Sequence, residues 1–146
     1  MLDTYYLVSN IDIANFGDNK KIKKMFESGN ESKIIIDGQK FNCPIEVTMS
    51  FLDGKWKSIV LWYLQGVTLR YSELQKKIPS ISQKMLTREL RELERYGFVK
   101  RKVYPEVPPK VEYSLTEYGN TLKPILVQLC NWGIQHLDKC GKFDKV

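Results

Sequence analysis

Three thiols, Cys43, Cys130 and Cys140, and one imidazole, His136, are the side chains best suited to nucleophilic or metal chemistry in this sequence. The cysteines show no CxxC spacing, and a lone histidine does not complete a zinc site of the usual pattern. Gly54-Lys55 lacks the upstream glycine of a phosphate-binding loop, because position 49 is Met. With no triad and no metal cluster in view, neither an enzyme nor a metal or cofactor is expected. Cys43 is the thiol placed for reactivity. It precedes Pro44, which suits the first position of a helix, and a helix N-terminus carries partial positive charge that favours a thiolate. Glu46, one turn on, pushes the other way, and a small residue packing the helix start is the alternative reading. Cys130 lies beside an apolar stripe and reads as core. Cys140, near the chain end, reads as oxidisable without consequence. An odd number of cysteines without a pairing pattern fits a reducing cytoplasm.

Charge supplies the second chemistry. The 146 residues hold 23 Lys+Arg against 17 Asp+Glu, a net charge of +6. Residues 1–42 are neutral, with six acids and six bases. From Val67 to Val111 there are 11 bases and five acids, so this stretch alone accounts for +6. Such a local field points to a polyanion, nucleic acid before an acidic membrane surface. On a helical wheel of residues 82–96, Leu86, Leu90 and Leu93 fall within about 40° of one another as a buried stripe. Thr87, Arg91, Lys84, Arg95 and Arg88 occupy roughly 100–200° on the opposite side. Glu89, Glu92 and Glu94 lie at the flanks of that arc. A solvated surface with pairs such as Arg88–Glu92 would mix its charges. Here Lys84–Arg88 and Arg91–Arg95 repel at i, i+4, a cost that an anionic partner removes.

These residues must be positioned by the elements around them. Helices are predicted from Pro44, from Lys55 to about Gln65, and from Tyr71 to Lys77 with Ser72 as N-cap. The next helix is capped by Ser80 or Ser82 and stopped by Gly97. Val67 to Arg70 is β-like. Phe98–Tyr104 and Val111–Leu115 read as strands joined by PEVPPK, and Thr116 opens a last helix reaching about Lys139. Two helices about a tight turn followed by a hairpin form a winged helix-turn-helix: mainly α with a small β-hairpin wing, an α+β fold. Lys100, Arg101 and Lys110 charge the wing, beside Lys102, and Pro105, Pro108 and Pro109 stiffen its tip. A rigid basic wing can rest on phosphates with little ordering entropy left to lose, although prolines also protect sheet edges. Residues 1–42 read as an N-terminal extension, with a short helix at 20–26 and a hairpin about Asp37-Gly38. Residues 43–140 form the domain, and 141–146 a tail.

From Cys43 to about Cys140 the chain resembles the HxlR-type family of bacterial and archaeal winged helix-turn-helix transcription regulators. The resemblance is carried by CPIE (43–46), DGKWKSIVLWYL (53–64), LRYSELQKKIPSISQKMLTRELRELERYGFVKRKVY (69–104), PEVPPKVEYSLTEYG (105–119) and NWG (131–133). Asp53 stands where the family usually has glycine. The resemblance implies a homodimer on a roughly palindromic operator in double-stranded DNA. It places the helix 82–96 in the major groove, with Ser82, Gln83, Lys84, Thr87 and Arg88 near bases and phosphates and Arg91 further along the same face. Gln and Arg suit adenine and guanine edges, while Lys and Ser or Thr serve either base or phosphate. Lys100, Arg101 and Lys110 become wing contacts. Lys55 and Lys57 are candidates for backbone contact, and Trp56 reads as core. Members of the family that sense oxidants, quinones and aldehydes use a cysteine in the CPxE position, here Cys43.

The last helix carries Leu122, Ile125, Leu126, Leu129, Trp132, Gly133 and Leu137, a stripe too wide for a small wing to cover. Core packing accounts for part of it. The resemblance places the dimer interface there and on the helix after Cys43, so the fold is expected to be dimeric through its terminal helices. No membrane role is expected: the longest apolar run, Ile59 to Leu64, is far short of the roughly 20 residues that span a bilayer, and the acidic N-terminus does not read as a secretion signal. The competing reading is an RNA- or protein-binding winged-helix module without effector sensing. The effector of the regulator is not legible in the sequence.

Overall fold

The computed structural model describes residues 34–36 and 38–140. The expected helix at 20–26, Asp37 of the expected turn and the tail 141–146 lie outside the described residues. The chain divides into two units, Met1–Met49 and Ser50–Val146.

In the first unit, β1 (Ile34–Ile36) pairs antiparallel with β2 (Gln39–Phe41), Ile36 opposite Gln39. Just before β2, Gly38 takes a φ of +79°, a conformation closed to most side chains. Helix α1 (Pro44–Phe51) begins with its proline, as expected, and its last two residues belong to the second unit. The Cys43 carbonyl accepts from Val47 N (3.4 Å), which makes Cys43 the N-cap residue. The Glu46 carboxylate accepts from the Asn42 backbone at 2.6 Å.

The second unit is built on α2 (Lys55–Tyr63), β3 (Leu69–Arg70), α3 (Tyr71–Lys77), α4 (Gln83–Arg95), β4 (Val99–Tyr104), β5 (Lys110–Leu115), α5 (Glu117–Asn120) and α6 (Lys123–Cys140). Val60, Leu61 and Leu64 from the α2 segment, Leu74 from α3, and Leu86, Leu90 and Leu93 from α4 meet in one core with Phe98, Val99, Tyr113 and Leu126. Ile78 and Ile81 in the α3–α4 turn enter the same core. The stripe read from the sequence of α4 is therefore its buried face. The wing strands pair from Val99↔Leu115 to Tyr104↔Lys110, and β3 adds to the outer side of β5, giving the order β3-β5-β4.

The strands keep the expected order with ends shifted by one or two residues: β3 starts at Leu69, β4 at Val99 and β5 at Lys110. The helices differ from the sequence reading in three places. Ser72 does not cap α3. Arg70 is the N-cap residue, and its backbone N–H donates to the Glu73 carboxylate at 2.7 Å, so a side chain inside the first turn reaches back to satisfy the donor. Helix α2 ends at Tyr63, two residues before the expected Gln65. The expected last helix is two helices, α5 and α6, interrupted at Thr121-Leu122. Pro124 explains the break: it has no N–H to offer the Asn120 carbonyl, and its ring would clash with that carbonyl in a continuous helix.

Candidate nucleic-acid interface

Helix α4 is fixed at both ends by local chemistry. Ser82 is its N-cap, in extended conformation, and Ser82 Oγ accepts from Met85 N at 3.2 Å. At the other end Gly97 takes a φ of +77°. Gly97 N donates to Glu94 O and Phe98 N to Leu93 O, each at 3.0 Å, which is the paired pattern of a Schellman stop. The preceding helix braces it. Tyr71 Oη donates to Gln83 O (3.0 Å) and lies 3.1 Å from Thr87 Oγ1, while Gln75 Nε2 donates to Ile81 O at 2.8 Å across the turn. Tyr71 and Gln75 thus lock the angle between α3 and α4.

With Leu86, Leu90 and Leu93 buried, α4 turns Gln83, Lys84, Arg88, Arg91 and Arg95 outward, all exposed. Lys84 and Arg91 have no ion-pair partner among the described residues. Arg95 is held by Tyr96, lying over its ring at 4.8 Å and donating to its hydroxyl at 3.0 Å. Thr87 and Ser82 have a second duty: Thr87 is half-buried against Tyr71, and the Ser82 hydroxyl is engaged as the cap. Their types signalled polarity, and only the tertiary packing shows that it is partly used inside the protein.

Two basic residues differ from the sequence reading. Lys57 is not a surface candidate for DNA backbone: its side chain is 6% exposed. Its Nζ lies 2.8 Å from Glu92 Oε2 and 3.4 Å from Glu89 Oε2, and it donates to Asp53 O at 3.3 Å. The separation to Glu89 is an ion pair without hydrogen-bond geometry, since Glu89 Oε2 has no hydrogen-bond partner. Burial alone would lower the Lys57 pKa, but the hydrogen bond to Glu92 and the charges of both glutamates outweigh it and hold the pKa above its usual value. The Glu92 carboxyl is held below its usual range, chiefly by the same hydrogen bond. Arg88 is 62% exposed yet also tethered, with Nη2 3.4 Å from Glu89 Oε1 and Nε 3.7 Å from Glu92 Oε1. The basic arc is therefore reached by acids from its flank. The Arg88–Glu92 pair was the one weighed in the sequence as the mark of a solvated surface, and it is present. The buried Lys57 and Glu89 that join it escaped the sequence reading, although the signal was present. Glu89 lies three residues after Leu86 and four before Leu93, and Lys57 three before Val60 and four before Leu61, so both occupy core-facing positions.

On the wing, Lys100, Arg101 and Lys102 are exposed along β4. Lys110 is half-buried, because its Nζ pairs with Glu112 Oε1 at 2.7 Å. That hydrogen bond holds Lys110 above and Glu112 below their usual pKa values. Tyr104 organises the group: its hydroxyl donates to Glu112 at 2.9 Å, and Lys102 and Lys110 lie over its ring at 4.7 and 4.6 Å. The root of the hairpin is fastened separately. Thr116 Oγ1 donates to Gly97 O at 2.6 Å and accepts from Gly119 N at 2.9 Å.

The residues expected at a dimer seam divide. Leu126 is 4% exposed and belongs to the core, and Leu122 packs against it. Ile125, Leu129 and Trp132 are 42%, 54% and 66% exposed, and Gly133 is half-buried. Trp132 stacks on His136 with ring centroids 5.0 Å apart. Cys43 and Cys130 are half-buried and Cys140 exposed; all three are free thiols. Among the described residues no group of three or more His, Cys, Asp and Glu could hold a metal ion, and no helix is long and apolar enough to cross a membrane.

A face of exposed cations on the second helix of a helix-turn-helix, flanked by a basic hairpin, is the footprint of a winged helix-turn-helix. Comparison with known proteins agrees. The family model described as HxlR-like helix-turn-helix matches residues 51–140. The uncharacterized HTH-type transcriptional regulator YkvN of Bacillus subtilis is 57% identical over 95 residues, 65% of this chain and 80% of its own. Among solved structures, the redox regulator HypR in its oxidized form is 47% identical with a TM-score of 0.62, covering 70% of this chain and 100% of that one. The reduced form of the transcriptional regulator YodB from B. subtilis is 36% identical with a TM-score of 0.57, covering 71% of this chain and 100% of that one. The chain belongs to the HxlR-like helix-turn-helix family of transcriptional regulators.

Proposed function

We propose that this protein binds a roughly palindromic operator in double-stranded DNA as a homodimer, with α4 in the major groove and the wing on the phosphate backbone. The observation that carries this reading is the outward face of α4: Gln83, Lys84, Arg88 and Arg91 exposed on a helix whose other face is locked into the core. Gln83, Lys84 and Arg88 lie in its first two turns, the part of a recognition helix that meets base edges. Ser82 and Thr87 contribute by phosphate or base contact alongside their structural bonds. Lys100 and Arg101 supply wing contacts, and Lys110 does so through the Tyr104–Glu112 group. Duplexes enriched by the protein from a randomised pool provide the test. Arg88→Ala is expected to cost about 1–3 kcal/mol on the enriched duplex in a gel-shift titration. Binding unchanged by Arg88→Ala and Arg91→Ala together would remove α4 from the interface. Preference for RNA in the same titration would favour the competing RNA-binding reading.

The regulator responds to oxidants or electrophiles through Cys43 in this proposal. Its support is the position of a half-buried free thiol at the N-cap of α1, together with the likeness to HypR, which is described as a redox regulator. Cys43→Ser is expected to keep duplex binding and lose the change in affinity caused by diamide. Full diamide response in Cys43→Ser would move the sensing role to Cys130 or to another effector.

A further inference from the structure

We infer that Glu92, anchored by the buried Lys57, is a specificity-determining residue that acts by positioning Arg88; the inference rests on the DNA-binding reading of α4. Arg88 is the one α4 cation, among the described residues, that is both open to solvent and tethered by carboxylates of its own helix. Those carboxylates are not free to follow it. Glu89 is 5% exposed, and Glu92 is fixed through its other oxygen by Lys57 at 2.8 Å. Lys57 is itself pinned by the Asp53 carbonyl on the turn before α2. The polar chain Asp53 O–Lys57–Glu92–Arg88 therefore runs through the buried Lys57 to the outward face of α4.

Two consequences follow for a duplex lying on that face. A tethered guanidinium has fewer directions to search, so its planar fork is presented at one place along the groove. The Glu92 charge also opposes nearby phosphates, so it penalises every sequence alike and leaves net gain only where Arg88 finds its base edge. Glu92 thus lowers overall affinity and raises discrimination. A residue that merely stabilised the fold would support both together.

The experiment compares wild type, Arg88→Ala and Glu92→Gln, each selecting from a duplex pool with a randomised core and then titrated on the wild-type winner and a scrambled duplex. Glu92→Gln keeps the size of the side chain. It is expected to bind the scrambled duplex as tightly as wild type or tighter, to lose about tenfold in the ratio of winner to scrambled binding, and to relax the base positions that Arg88→Ala relaxes. Lys57→Met combined with Glu89→Met, which replaces the buried pair by apolar groups, is expected to show the same loss of discrimination while remaining folded by circular dichroism. An unchanged base preference in Glu92→Gln, or equal weakening on both duplexes, overturns the inference and leaves the DNA-binding reading intact. So does an unchanged preference in Arg88→Ala. Failure of wild type to select any sequence overturns both.

Discussion

Lys57 shows how a single buried charge can be worth keeping. Removing an ammonium from water is costly, and it is tolerated here because two carboxylates and a carbonyl surround it. Lys57→Met leaves those carboxylates only the exposed Arg88 as partner and is expected to cost about 3 kcal/mol near neutral pH, the lower end for breaking a buried pair. The pH dependence follows from the directions of the two shifts. The Glu92 carboxyl is lowered, so its contribution is present above the usual glutamate pKa and fades as pH falls through the folded-state value. The Lys57 ammonium is raised, so its contribution is present below the usual lysine pKa and is lost as pH rises through the folded-state value. The pair is intact across the whole neutral range. Urea unfolding of wild type and Lys57→Met should show a gap that is widest at neutral pH and narrows below the glutamate range. A gap independent of pH down to strong acid would mean that packing, not charge, makes the difference.

At the scale of elements, one of the contacts joining the wing to the helices is a close approach of α5 to Phe98. A Cβ built on Gly119 would collide with the carbonyl of Phe98, backbone against backbone. Glycine is required there for space, since Gly119 has no positive φ. Gly119→Ala is expected to destabilise the protein by about 3 kcal/mol, the upper end for overpacking, because no flexible side chain can give way. A urea midpoint within error of wild type would show that α5 shifts without cost. This contact was invisible in the sequence, where EYG reads as an ordinary helix start. The α4 stop was legible because Gly97 acts on its immediate neighbours, and the start was narrowed to Ser80 or Ser82, of which Ser82 is the cap. The basic arc was legible too, since it needs only a helical period. The Tyr71–Thr87 brace, 16 residues apart, and the Lys57–Glu92 pair, 35 apart, depend on how elements meet in space. Sequence order alone carries little of that information, although core-facing positions at Lys57 and Glu89 hinted that both were inward.

At the scale of the whole molecule, the described residues leave much of the apolar face of α6 exposed. Leu126 enters the core, while Ile125, Leu129 and Trp132 lie along one exposed stripe. If the proposed homodimer forms on this stripe, its two α4 helices are expected to meet the duplex about one turn apart, roughly 10–10.5 base pairs or a multiple of that. Leu129→Asp with Trp132→Asp is expected to convert a dimer into a monomer in sedimentation at micromolar concentration. It should also abolish the two-fold symmetry of the footprint. A wild-type protein that sediments as a monomer at that concentration would remove the basis for a palindromic site.

The hairpin has a fastened root and an exposed tip. Thr116 bonds to Gly97 and Gly119, and Val99 and Tyr113 are buried, whereas residues 105–109 are exposed, with Val107 fully so. Insertions and deletions are tolerated where few backbone bonds are at stake. Loop length at 105–109 is therefore an adjustable parameter: chain can be added or trimmed there while Gly97, Thr116 and Gly119 hold the helix in register. In the proposed interface the reach of the hairpin is thus set separately from the position of α4, so the two halves of the surface can be tuned as separate dials.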